Sequence, residues 1–127
     1  MNSLKQVADV RTNLTRQRQE EARNYYVLGI HCLELARKRG FQDKKILKQC
    51  CELFAESIRR DRQNPGPFVK LAYLLAMMQA WNNALPYLHQ ALTLAPAHAE
   101  AIALQAFIQR QTAEAPVSEE SFSILDF

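Results

Sequence analysis

Glycine is almost missing from this chain, with three among 127 residues. No glycine-rich loop is available to cradle a phosphate, and no alternating β-branched segment announces a strand. Nowhere do about 18 apolar residues follow one another, so no membrane span is expected. The N-terminus lacks the apolar core of a secretion signal, so export is not expected either. Cysteine is limited to Cys32, Cys50 and Cys51, an odd number without disulfide or zinc spacing. That usage suits a reducing compartment, and a cytoplasmic location is the expectation. All three fall on or beside the inner faces of expected helices, as small packing residues do. His31, His89 and His98 share no metal-ligand spacing. His31 and Cys32, adjacent on a helix, point to different sides and make no dyad. With no nucleophile elbow either, the chain is expected to be no enzyme and to take no cofactor or metal.

What the chain has is helix formers at helical spacing. The stretch from Asn64 to Pro96 shows this best. Asn64 is a good N-cap, and Pro65 is tolerated in a first turn because its missing N–H has no intrahelical partner there. Phe68, Leu71, Ala72, Leu75 and Met78 then share one helix face. A break follows over 79–82. Asn82 or Asn83 is the expected cap of a second helix, with Pro86 inside its first turn and Ala84, Leu88, Ala91 and Leu92 as its inner stripe. The small residues Ala72, Ala84 and Ala91 let two backbones approach, with the larger residues filling the seam.

This arrangement resembles the tetratricopeptide repeat (TPR) family. The family pattern is aromatic-x2-Leu-Gly-x2-Tyr, then Ala-x3-Phe, then Pro. It appears here as Phe68-x2-Leu71-Ala72-x2-Leu75, then Ala84-x3-Leu88, then Pro96. A forward shift of 34 residues carries Phe68 to Ile102, Ala72 to Ala106, Tyr73 to Phe107 and Leu74 to Ile108. The same shift backward carries Leu88 to Phe54, Ala91 to Ser57, Leu92 to Ile58 and Ala84 to Cys50. Upstream, Tyr25-x2-Leu28-Gly29-x2-Cys32 repeats the aromatic-Leu-Gly signature at an offset of 43, so the first unit holds about nine extra residues around Arg39, Gly40 and Phe41. The resemblance implies an all-α fold over 24–111, a TPR-like helical hairpin array of about two repeats plus a C-terminal capping helix. Residues 1–23 are read as an extra N-terminal helix or arm leaning on the first repeat. Residues 112–127 are read as a flexible acidic-apolar tail. Six or seven helices are expected.

The resemblance also implies a concave groove lined by the leading helices. The residues mapped to it are Tyr26, Val27 and Ile30, then Val69, Lys70, Tyr73 and Met77, then Ala103, Leu104 and Phe107. Family members that hold chaperone C-terminal carboxylates use a clamp of Lys, Arg and Asn; here Lys70 is the only cation in the set. A mainly apolar groove suits an amphipathic helix or an apolar peptide instead. The function implied is a protein–protein interaction adaptor or assembly chaperone. The alternative is a nucleic-acid-associated helical protein, because Lys44, Lys45 and Lys48 belong to a basic first half. Glu20, Glu21, Glu34, Glu52, Glu56 and Asp61 are interleaved with those bases.

Charge is unevenly distributed. Between Gln63 and Gln109 only Lys70 and Glu100 are charged, which suggests a covered surface near Trp81, Tyr87 and Leu94 and hence a homodimer or a heterocomplex through that half. Beyond Thr112 the charged residues are all acidic, and Phe122, Ile124, Leu125 and Phe127 form an apolar cluster read as a docking motif for the groove.

Overall fold

The computed structural model describes residues 3–114 of the chain, and within them every regular element is a helix. The first, α1, runs from Ser3 to Lys38 without interruption. Nothing in the sequence breaks it: no proline falls in this span, and its one glycine, Gly29, sits on the buried face. The arm expected over 1–23 is therefore not a separate element, and no break occurs at residue 23. This is why there are five helices among the described residues rather than six or seven. Nor does the arm lean on the body. Every residue from 3 to 20 is exposed, and the first buried position is Ala22.

Gly40 and Phe41 end α1 in left-handed conformation, at φ 65° and 57°. This conformation is natural for glycine and uncommon for phenylalanine. The turn is held by the Phe41 amide, which donates to Ala36 O at 2.9 Å. Helix α2 spans Lys44–Arg60. Its cap is Asp43, whose carboxylate accepts from the amides of Lys45 and Ile46 at 3.1 and 3.3 Å. Helix α3, Pro65–Met77, is capped by Asn64, which accepts from Gly66 N at 3.0 Å.

Helix α4, Trp81–Leu94, starts before either expected asparagine. Gln79 adopts a left-handed φ of 61° and the Ala80 amide donates to Leu75 O at 2.8 Å. The chain is thus already redirected at Ala80, which caps α4 without a side-chain bond, and Asn82 falls inside the first turn. Helix α5 spans Ala99–Glu114. His98 stands before it, accepting through Nδ1 from the Ala101 amide at 3.2 Å.

Contacts follow chain order. α1 packs on α2, α2 on α3, α3 on α4, and α5 closes the series against α4 and α3. One apolar core runs from Leu33 through Phe54, Leu74 and Leu88 to Ile108. The trailing helices repeat each other's burial at the 34-residue shift. Cys50 and Ala84, Phe54 and Leu88, and Ser57 and Ala91 are buried pair by pair. The leading helices agree less well. Leu71 is buried, but Leu28, which the motif sets in the corresponding place, is exposed. The reason is that α1 turns a different face to the core, with Ala22, Gly29, Leu33 and Ala36 buried and the Phe54 ring against Gly29.

Candidate protein-binding face

Helices α1, α3 and α5 are joined side to side by a few specific contacts. Between α1 and α3, Tyr26 lies against Gly66, where an added Cβ would stand 3.4 Å from the ring. Nearer the other end of α1, the Arg37 guanidinium lies 6.0 Å from the centroid of the Tyr73 ring, which also meets Phe41 edge-on at 6.2 Å. That neighbour raises the Arg37 pKa above its ordinary value, with further help from Glu34. Between α3 and α5, Lys70 Nζ reaches Glu100 Oε1 at 2.8 Å.

Eight of the ten residues mapped to the groove keep some exposure. Val27 and Ala103 are exposed, while Tyr26, Ile30, Lys70, Tyr73, Met77 and Phe107 are half-buried. Val69 and Leu104 are a correction, because both are buried in the core. α3 is enclosed by neighbours on both sides, which leaves it only the narrow strip of Lys70, Tyr73 and Met77, spaced three and four apart. In α5, Leu104 shares its face with Ala101 and Ile108 and turns inward with them. Phe107 reaches back across the helix ends to meet Trp81 edge-on, centroids 5.9 Å apart.

Trp81, Tyr87 and Leu94 do not form the apolar outer surface expected of them. All three are partly buried and packed against the core. Burial pushes the Tyr87 phenol above its ordinary pKa. The exposed positions of α4 are Asn82, Pro86, His89, Gln90 and Thr93, polar or small without being charged. On α4, low charge reflects uncharged polar cover rather than an apolar patch.

Four arginines of the first half, Arg37, Arg39, Arg59 and Arg60, pair with acids of the same chain. Arg60 donates to Glu21 at 3.1 Å, pairs with Glu56 and lies 4.4 Å from the centroid of the Tyr25 ring. Arg59 also pairs with Glu56, whose carboxyl is held below its ordinary range chiefly by Arg60. Arg39 pairs with Asp43 at 2.9 Å, and Arg37 with Glu34. Lys44, Lys45 and Lys48 are exposed on the flank of α2.

Cys50 and Cys51 are fully buried, and Cys32 is half-buried with its thiol donating to Ile46 O at 3.4 Å. Burial drives both α2 thiols upward, Cys51 to about 12. Thiols held protonated in this way are poor nucleophiles and metal ligands. Among the described residues no three of His, Cys, Asp and Glu gather as a metal site would require, and no helix is long and apolar enough to cross a membrane. The docking motif of Phe122, Ile124, Leu125 and Phe127 lies outside the described residues.

Leu4, Val7, Val10 and Leu14 stand at helical spacing and were read as the stripe by which the arm leans on the first repeat, but all four are exposed. Sequence reasoning missed that Leu28 and Leu35, further along α1, are exposed as well. No family model matches the chain, and no curated protein or solved structure matches it.

Proposed function

We propose that this protein is a non-catalytic adaptor of TPR-like build that holds an amphipathic helix or apolar peptide of another protein against the face shared by α1, α3 and α5. The observation that carries this reading is the state of the α3 strip. Tyr73 and Met77 remain half-exposed between tethered helices, while the cations beside them already have acidic partners, Lys70 in Glu100 and Arg37 in Glu34. A rigid aromatic beside a flexible thioether is suited to an apolar surface of variable shape. Glu100 beside Lys70 carries the same charge as a carboxylate terminus and disfavours clamping one there. Such an adaptor has the attributes of an assembly chaperone, shielding a partner's apolar segment until it is placed.

The test is affinity capture from the source cell with wild-type and Tyr73→Ala baits. The substitution truncates a half-exposed ring, so the helical circular-dichroism spectrum is expected to persist while a protein partner is lost. Recovery of RNA or DNA instead, abolished by charge reversal at Lys44, Lys45 and Lys48 and falling steeply with salt, would overturn the reading.

A further inference from the structure

Helices α1, α3 and α5 point the same way. Tyr26 meets Gly66 at the start of α3, and Arg37, further along α1, meets Tyr73 further along α3. Lys70 meets Glu100 in the first turn of α5, and Trp81, just past α3, meets Phe107. Partners advance together along the chain, so Lys38, Met77 and Glu114 close their helices at one end of the molecule. Residues 115–127 leave α5 at that same end.

Two features coincide there. One is positive charge on the turn between α1 and α2, where Lys38, Arg39, Lys44, Lys45 and Lys48 stand against the single acid Asp43. Arg39 takes that acid at 2.9 Å, which leaves four exposed lysines with no ion pair among the described residues. Lys44 and Lys45 also stand in the first turn of α2, where the helix dipole adds to their charge instead of offsetting it. The other feature is apolar. Phe41, Tyr73, Met77 and Phe107 are half-buried at this end, Phe41 and Tyr73 edge-on at 6.2 Å and Met77 one turn beyond Tyr73.

The segment that leaves α5 matches both features. Residues 115–127 contain no base; Glu119, Glu120 and Asp126 accompany Phe122, Ile124, Leu125 and Phe127. Length permits the match. Glu114 stands about 10 Å past Phe107 at about 1.5 Å per residue. Crossing from α5 over α3 to α1 takes two interaxial spacings, about 20 Å. The path back to Phe41 is therefore about 30 Å, and residues 122–127 reach roughly 27–43 Å from Glu114 when extended. The same chemistry supplied by a second copy would be at a disadvantage, because a short tether holds a segment of its own chain at an effective concentration near ~1 mM.

We infer that residues 115–127 dock on their own chain, their apolar side chains on the Phe107–Met77–Tyr73–Phe41 row and their acids beside the lysines of the α1–α2 turn. The segment occupies the face on which an outside helix or peptide would bind, so its consequence, competition with a partner, rests on the adaptor reading. A tethered contact of about 0.1 mM intrinsic affinity weakens an outside partner about tenfold.

The experiment is NMR of the full chain, following the Met77 methyl and the indole of Trp81, the one tryptophan. Phe122→Ser/Leu125→Ser is expected to move both signals while the methyls of Val7 and Val10, on the exposed arm, stay in place. Lys44→Glu/Lys45→Glu, or salt raised to about 0.5 M, which shortens the screening length to under about 5 Å, should move them in the same direction. The shifts should not depend on protein concentration. Signals identical in wild type and Phe122→Ser/Leu125→Ser would overturn the inference, and so would shifts that grow with concentration, which would place the segment on a second copy. Indifference to salt and to lysine reversal would overturn the role given to the lysines. None of these readouts contains a partner, so docking and the adaptor reading fail separately. Docking with no protein captured by either wild-type or Phe122→Ser/Leu125→Ser bait would sink the adaptor reading alone. Capture with unmoved signals would sink the docking alone.

Discussion

Gly29 and Phe54 are in direct contact across the α1–α2 seam. A Cβ built on Gly29 would stand 2.6 Å from Phe54 Cε1, closer than real contacts allow. Phe54 is fully buried and also meets Tyr26 at 5.9 Å between centroids, so its ring has no room to yield. The glycine is required for close approach rather than for an unusual backbone angle, as it lies in mid-helix.

Gly29→Ala is accordingly expected to destabilise the fold. Helix propensity alone would favour alanine by about 1 kcal/mol. Overpacking against a trapped ring costs about 1–3 kcal/mol and outweighs it. The denaturant midpoint should fall, and Phe54→Leu in the same chain should recover part of the loss. Additive effects of the two substitutions would contradict the contact.

Phe68 and Ile102 occupy corresponding places 34 residues apart and should respond differently. Phe68 is 7% exposed, so Phe68→Ala should cost about 3–5 kcal/mol. Ile102 is 47% exposed because no described helix follows α5 to cover it. Ile102→Ala should cost under about 1 kcal/mol. Chemical denaturation of the two variants side by side checks the contrast.

The buried thiols make stability depend on pH in a definite sense. Cys51 is held protonated up to about 12, above its ordinary value of 9.0. Between those values the unfolded chain releases a proton that the folded chain keeps, so stability falls as pH rises through that window. Unfolding free energies measured from pH 8 to 11 should decline, and Cys51→Ala should flatten the curve relative to its own lower starting point. At neutral pH, Cys32 should react with alkylating reagents before Cys50 and Cys51, which should wait for unfolding.

The Lys70–Glu100 pair should contribute little to stability, because the Glu100 side chain is 46% exposed. Lys70→Ala is expected to change unfolding free energy by under about 1 kcal/mol. On the adaptor reading its consequence lies elsewhere: Glu100 is released onto the proposed binding face, and capture of an apolar partner should weaken. Thermal melts and capture assays on one variant separate the two effects.

Helix content, most helix ends and the inner stripes of α2 to α4 were legible in the sequence because they depend on local chemistry. Asp43 and Asn64 cap where they stand since a side-chain oxygen two or three residues from an open amide needs no distant partner. Phe54 and Leu88, and Cys50 and Ala84, which stand 34 residues apart, are buried alike because α2 and α4 are both enclosed. Tertiary surroundings decided the rest. Val69 and Leu104 carry the same kind of side chain as their exposed neighbours, and only the placement of adjacent helices turned them inward. Leu28 matches Leu71 in the motif, yet with Phe54 seated on Gly29 the buried face of α1 is that of Ala22, Gly29, Leu33 and Ala36, and Leu28 stays outside. Periodicity tells which residues share a helix face. Which face is covered depends on the neighbour that arrives, and for α1 that neighbour covers only the half beyond Glu21.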